Sequence, residues 1–335
     1  MSYYQDALAE WGAHADAALA AEQALVGEWT ARAITAEAAL ADLGYECEAE
    51  TATLITERDA ALADLRKCQA RVKRLLARIA ELEGDPVPTM LVGSSLWREL
   101  GETHQDAFDR RTRNWGAEPE VIRYFFTDLP TTWPAFGNAK TIVSFKGNPV
   151  RVAAGDHDTR LRAFAATVPA DGQWAYYHER EDNIERGDFT EAQWRAAFTR
   201  LQTIIGGDPG TILMGWTANP QSGRNTEKYT HGLGVDWIGW DTYPGPDATD
   251  TRDKYELTVA ATKAAGATRW SLCETGLHEP NTRSPETVAA WIPVACDIAR
   301  ELGYESWCYF DSIVGGDFRL SDPIEWAAIG AEISR

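Results

Sequence analysis

The sequence contains no run of about 18 apolar residues, and it does not open on a basic stretch followed by an apolar one. Neither a membrane span nor a secretory signal is expected, so export by the general secretory route is not supported, and a cellular protein would be cytoplasmic. Basic side chains are scarce: 32 Lys and Arg stand against 51 Asp and Glu, for a formal charge of -19. A polyphosphate backbone is repelled by such a surface, so nucleic acid is not an expected partner. Cysteine is sparse and unpaired in pattern. Cys47, Cys68, Cys273, Cys296 and Cys308 match neither a disulfide framework nor paired zinc ligands, and read as small apolar residues. A phosphate-binding loop is missing as well, since Gly93-Ser94-Ser95 lacks the spacing and the lysine of one. His178, Glu179 and Asp182 lack the helical histidine spacing of a metallohydrolase, and Asp156-His157-Asp158 reads as a solvated loop, so no metal and no cofactor are expected.

Residues 1–84 contain no proline and are dominated by Ala, Glu, Leu and Arg, a helix-forming composition. Ala61, Leu65, Cys68, Val72, Leu75, Ile79 and Leu82 follow alternating steps of four and three, the seam of a left-handed coiled coil. Val26, Ala33, Leu40 and Cys47 share the seven-residue phase upstream, with Arg58 interrupting the register and Gly44 bending or breaking the helix. Such a seam must be buried. Self-association through residues 26–82 into a homo-oligomer is the favoured reading, and an intramolecular hairpin at Gly44 is the alternative. Gly84-Asp85-Pro86-Val87-Pro88 stops the helix, with residues 85–88 as a stiff linker to a second domain over 89–335.

Beyond Pro88 short apolar runs alternate with amphipathic stretches, the βα repeat of a parallel sheet. Eight strands are expected, at Thr89–Leu96, Val121–Thr127, Thr141–Lys146, Gln173–His178, Thr211–Thr217, Val235–Thr242, Arg269–Cys273 and Glu305–Phe310. Helices are expected at His104–Asn114, Asp158–Val168, Glu191–Ile205, Asp253–Ala265 and Pro285–Leu302. Eight such units make a closed (β/α)₈ TIM barrel, an α/β fold preceded here by the helical segment. A doubly wound open sheet is the runner-up, but normally has fewer strands and a glycine-rich first turn.

Reactive side chains of a barrel project from the C-terminal ends of its strands. The fourth strand ends in His178-Glu179-Arg180-Glu181-Asp182, the sixth in Asp241-Thr242-Tyr243 and the seventh in Glu274-Thr275-Gly276, while the eighth carries Trp307, Tyr309 and Asp311. Strands four and seven face each other across a barrel of eight. Glu179 and Glu274 can therefore flank a substrate at the roughly 5 Å separation that double displacement at a glycosidic carbon requires. Glu181, two residues on, competes with Glu179 for the role of acid. The sequence holds 14 Trp, a high count that suits sugar-binding clefts and core packing alike.

Tyr177-His178-Glu179 at strand four and Cys273-Glu274-Thr275-Gly276 at strand seven make residues 89–330 resemble the clan A glycoside hydrolases, closest to the β-mannanase-like families. The resemblance implies that Glu179 is the acid/base and Glu274 the nucleophile of a retaining hydrolase acting on a polysaccharide, with a cell-envelope or surface glycan expected. It further implies that Tyr243 hydrogen-bonds the nucleophile and that Trp307 floors the reacting sugar, unless Trp307 is an interior barrel residue. His178 stands where many clan members have Asn, which leaves three readings: a sugar-hydroxyl contact, a partner tuning a carboxylate, or a core histidine. Asp241 orients a sugar hydroxyl or a histidine, or makes a buried structural bond. Trp240 and Tyr309 complete the expected substrate-binding set. Barrels of this kind also occur in phage tail proteins, which would suit a minor tail protein carrying a coiled coil. A catalytically inactive glycan-binding barrel and a structural spacer are the rival readings.

Overall fold

A computed structural model describes residues 90–335, apart from 246–247, 278–283 and 315. The expected helical segment and linker lie outside the described residues. Strands β1 (Leu91–Ser95), β2 (Val121–Phe126), β3 (Lys140–Phe145), β4 (Gln173–Tyr176), β5 (Asp208–Met214), β6 (Trp237–Asp241), β7 (Arg269–Thr275) and β8 (Ser306–Tyr309) follow one another around a closed barrel. Every pairing is parallel, and β8 closes on β1 through Val92 opposite Trp307. The expected α/β barrel is therefore the observed one.

All five expected helices form, at His104–Trp115, Asp158–Ala165, Glu191–Ile204, Thr251–Ala264 and Pro285–Glu301. Thr103 with Asp106 and Thr190 with Gln193 cap two of them reciprocally, each pair satisfying two backbone N–H groups that the first turn leaves open. Among the described residues four further α-helices went unforeseen: Pro149–Ala154, Arg180–Arg186, Thr226–Thr230 and Pro323–Ile333. The last packs so closely on the first that a Cβ at Gly330 would lie 1.9 Å from the Trp115 carbonyl oxygen, an approach open only to glycine.

Side chains alternate across each strand. Val121, Ile142, Ala175, Ile212, Trp237, Cys273 and Cys308 fill the barrel interior, and Trp174, Tyr176, Ile238, Trp240, Leu272, Trp307 and Tyr309 face outward into the helix layer. Cys273, Cys296 and Cys308 are buried free thiols that burial pushes up from their ordinary range, in keeping with their reading as small apolar residues. Cys47 and Cys68 lie outside the described residues.

The N-terminal end of the barrel is closed by charge. Arg269, which opens β7, pairs with Asp208 at 2.6 Å and with Glu305, and Gln173 donates to Glu305 at 3.4 Å. These residues stand at the beginnings of β4, β5, β7 and β8, the end of a barrel concerned with stability.

Candidate active site

At the opposite end, irregular backbone aims three carboxyl groups at one point. Strand β4 stops at Tyr176, two residues short of the expectation, because Tyr177 and Glu179 both adopt left-handed backbone, with φ of 57° and 53°. Side chains with a Cβ rarely adopt that region, and it tends to mark functional sites. The turn is held by Tyr177 N–H donating to the Phe145 carbonyl and Glu179 N–H to that of Ile212. On β7 the pairing register shifts near Cys273–Glu274, so that Asp241 stands opposite Glu274 rather than opposite Cys273. Cys273 faces the interior, and the irregularity lets Glu274 join it at the mouth where strict alternation would turn it outward.

Glu179, Asp241 and Glu274 thereby bring one carboxylate oxygen each to within 4.8 Å of the others. The Tyr243 hydroxyl donates to Glu274 at 2.7 Å. Among the described residues neither oxygen of Asp241 has a hydrogen-bond donor in reach, whereas a proton carried by Asp241 itself can be shared with Glu274, whose ionised form that bond favours. The His178 Nδ1 lies 2.9 Å from the Ser144 hydroxyl, and its ring meets Phe125 edge-on at 5.3 Å.

Burial and mutual repulsion dominate the electrostatics. Burial, the Glu274 charge and the Glu181 charge push Glu179 up to about 8, with Lys146 opposing them. Asp241 is driven well above the usual carboxylate range by burial and then by Glu274 and Glu179. Glu274 is raised by burial, but Arg123 and the Tyr243 hydrogen bond pull it back. Three crowded carboxyl groups facing two cations favour keeping at least one proton among them. Burial and the same two cations hold His178 neutral, well below its ordinary range.

Arg123 and Lys146 were missed in the sequence. Arg123 is fully buried on β2, donates to the Tyr124 carbonyl at 3.3 Å, and leaves Nε and Nη2 without hydrogen-bond partners among the described residues. The signal was a lone arginine two residues after Val121, on the same interior-facing parity of an apolar strand. Lys146 follows β3, and burial depresses its ammonium while Glu179 and Glu274 attract it. It also lines a cavity of about 390 Å³, together with Asp128, Asn148, Tyr177, Asp188 and Phe189. The three clustered carboxylates could hold a cation by distance alone, but Arg123 and Lys146 oppose one electrostatically.

Other candidates fall elsewhere. Trp240 is buried against the helix layer and donates to Thr262 at 2.8 Å. Trp307, also fully buried, donates to the Tyr255 hydroxyl at 3.2 Å, and Tyr309 reaches the Leu277 carbonyl at 3.4 Å. All three have outward strand parity, so they support the barrel from behind, and for Trp307 the barrel-packing alternative describes its position. Phe310, just after β8, meets Tyr243 edge-on at 5.9 Å. Glu181 is not on a strand. It lies in the first turn of the helix Arg180–Arg186, where its Oε1 accepts from Met214 N–H at 3.0 Å and the Thr217 hydroxyl at 2.9 Å. Asp311 is locked to Arg111 at 2.5 Å and accepts from Leu320 N–H.

No family model matches the chain, and no curated protein matches it. Solved structures do. The chain is similar to a GH128 (subgroup I) endo-beta-1,3-glucanase from Amycolatopsis mediterranei in complex with laminaritriose, with a TM-score of 0.54 and 16% identity over 72% of this chain and 99% of that one. It is also similar to a glucosidase from Croceicoccus marinus, with a TM-score of 0.53 and 13% identity over 74% of this chain and 68% of that one. Likeness at this identity establishes architecture: the barrel of this chain has the (β/α)₈ fold found in clan A glycoside hydrolases.

Proposed function

We propose that the barrel is a retaining glycoside hydrolase acting on a polysaccharide, with Glu274 as nucleophile and Glu179 as acid/base. The observation that carries this reading is the approach of the Glu179 and Glu274 carboxylate oxygens to within 4.8 Å, at the mouth of the barrel. Double displacement needs carboxyl groups about 5–5.5 Å apart, whereas inversion needs roughly 6.5–9.5 Å to admit a water. The electrostatics divide the labour. Glu179, pushed up to about 8, holds a proton at neutral pH, while Glu274 has Arg123 and Tyr243 to favour its anion.

In the first step the Glu274 carboxylate attacks the anomeric carbon as the bond to the leaving oxygen breaks, and Glu179 gives that oxygen its proton. The now ionised Glu179 takes a proton from water, the resulting hydroxide displaces Glu274 from the anomeric carbon, and both residues return to their starting states. Neutral His178 meets a sugar hydroxyl. Asp241, with no other hydrogen-bond partner among the described residues, holds a proton toward Glu274 and so acts as a positioning residue. Glycosidases among the proteins of similar fold lend the reading further support.

The test is release of reducing ends from a panel of bacterial-envelope and plant-type polysaccharides by the native chain and by Glu179→Gln and Glu274→Gln. Cleavage by the native chain, reduced at least about a thousandfold in the Glu274 variant with its circular dichroism unchanged, is expected. Glycan binding without cleavage in all three proteins would make this a glycan-binding barrel instead.

A further inference from the structure

Between the β4 and β6 ends, which carry two of the three carboxyl groups, the end of β5 presents an indole. Trp216 lies in the 3₁₀ turn Gly215–Ala218 that follows β5 directly, and it is 53% exposed. A single exposed apolar side chain needs no explanation by itself; this one is built into place. The Arg224 guanidinium lies 4.2 Å from the ring centroid, covering one face of the indole. Arg224 is itself nearly buried, held by Asp182 at 2.6 Å and Glu185 at 2.7 Å, and it touches the Met214 sulfur at 3.0 Å. The turn beneath is equally fixed, because Met214 N–H and the Thr217 hydroxyl both donate to the buried Glu181 carboxylate. A Cβ at Gly215 would sit 1.4 Å from the Thr242 hydroxyl oxygen, so the turn is pressed against the chain that leaves β6.

We propose that Trp216 is a sugar-stacking platform in the same cleft, which takes the apolar CH face of a neutral pyranose next to the cleavage point. The proposal rests on the glycosidase reading. Met214 is in register with Asp241, a member of the carboxylate cluster, and Trp216 is two residues further on, at most about 7 Å along the chain. A glycan passing over Glu179 and Glu274 toward β5 therefore crosses the indole. The fixed ring offers flat apolar area at little cost in conformational freedom. Neutral sugar is the fitting class: the Arg224 charge beside the ring is already paired with Asp182 and Glu185, and a chain of charge -19 does not recruit a polyanion.

Calorimetric titration of Glu274→Gln with laminarihexaose and with mannohexaose tests the platform without turnover. Adding Trp216→Ala is expected to weaken binding of the bound hexaose about tenfold, and Trp216→Phe, which keeps a flat ring, about threefold or less. In the otherwise native enzyme the same Trp216→Ala change should raise KM and leave kcat nearly unmoved. Unchanged hexaose affinity in Trp216→Ala, or a Glu274→Gln protein that binds neither hexaose, overturns the platform. The glycosidase reading falls separately, if Glu274→Gln cleaves polysaccharide as the native chain does.

Discussion

The two ends of the barrel treat buried charge in opposite ways. At the N-terminal end one arginine serves two carboxylates: Arg269 lies between Asp208 and Glu305, and Gln173 adds a further donor. At the C-terminal end three carboxyl groups converge within 4.8 Å, the Tyr243 hydroxyl donates to Glu274, and among the described residues neither oxygen of Asp241 has a donor in reach. The first arrangement lowers the energy of the fold. The second raises it, and crowding of this kind persists where chemistry uses the perturbed protons. The contrast teaches that in this barrel an acidic residue is informative when its surroundings leave it uncompensated, because acidity as such is spread over the whole chain.

The contrast can be broken from either end. The largest stability effect is expected at the compensated end, where Arg269→Ala removes the guanidinium that Asp208 and Glu305 share. The group is partly exposed, so the loss is discounted to about 2–3 kcal/mol, measured by urea unfolding. The kcat of the folded fraction should stay unchanged; a fall in kcat without a loss of stability would place Arg269 in the mechanism.

At the crowded end the effect appears as a pH dependence. Glu179 is raised from 4.5 to about 8, so the folded chain keeps a proton that the unfolded chain releases. Stability should therefore decline as pH rises from about 4.5 to about 8, and Glu179→Gln should flatten that slope. Activity should fall on the alkaline side with a midpoint near 8, as the acid loses its proton. An alkaline limb that persists unshifted in residual Glu179→Gln activity would assign it to another group.

The last effect is expected at Asp241. The folded chain holds this carboxyl neutral, and the unfolded chain ionises it above its ordinary 3.8. Asp241→Asn removes that proton uptake, so thermal unfolding at pH 7 should show a gain in stability that vanishes below pH 3.8, accompanied by a slower rate. A destabilised variant would mean that Asp241 has a structural partner.

Much of this was legible in sequence. All eight strands and five of the helices follow from apolar periodicity, and the three clustered carboxyl groups stand at strand ends named from the sequence. Asn148-Pro149 and Asp322-Pro323 with Glu325 are readable helix starts that the periodicity reading passed over, because the helices they open are short or apolar on several sides. The left-handed backbone of Tyr177 and Glu179 was not legible, since nothing in the propensities of tyrosine or glutamate calls for it. The shape of that turn is why Glu181 leaves the strand and braces the β5 end. Trp240, Trp307 and Tyr309 were assigned to substrate by chemical type, and their direction depends on a parity that only the neighbouring strands settle.

The central claim is that Glu179 and Glu274 act by double displacement. Proton NMR of the first product released from a cleaved β-linked polysaccharide tests it most directly, read before mutarotation mixes the anomers. Carboxylate oxygens within 4.8 Å predict that the β-anomer appears first; initial release of the α-anomer would require a water between the two glutamates and would contradict the account.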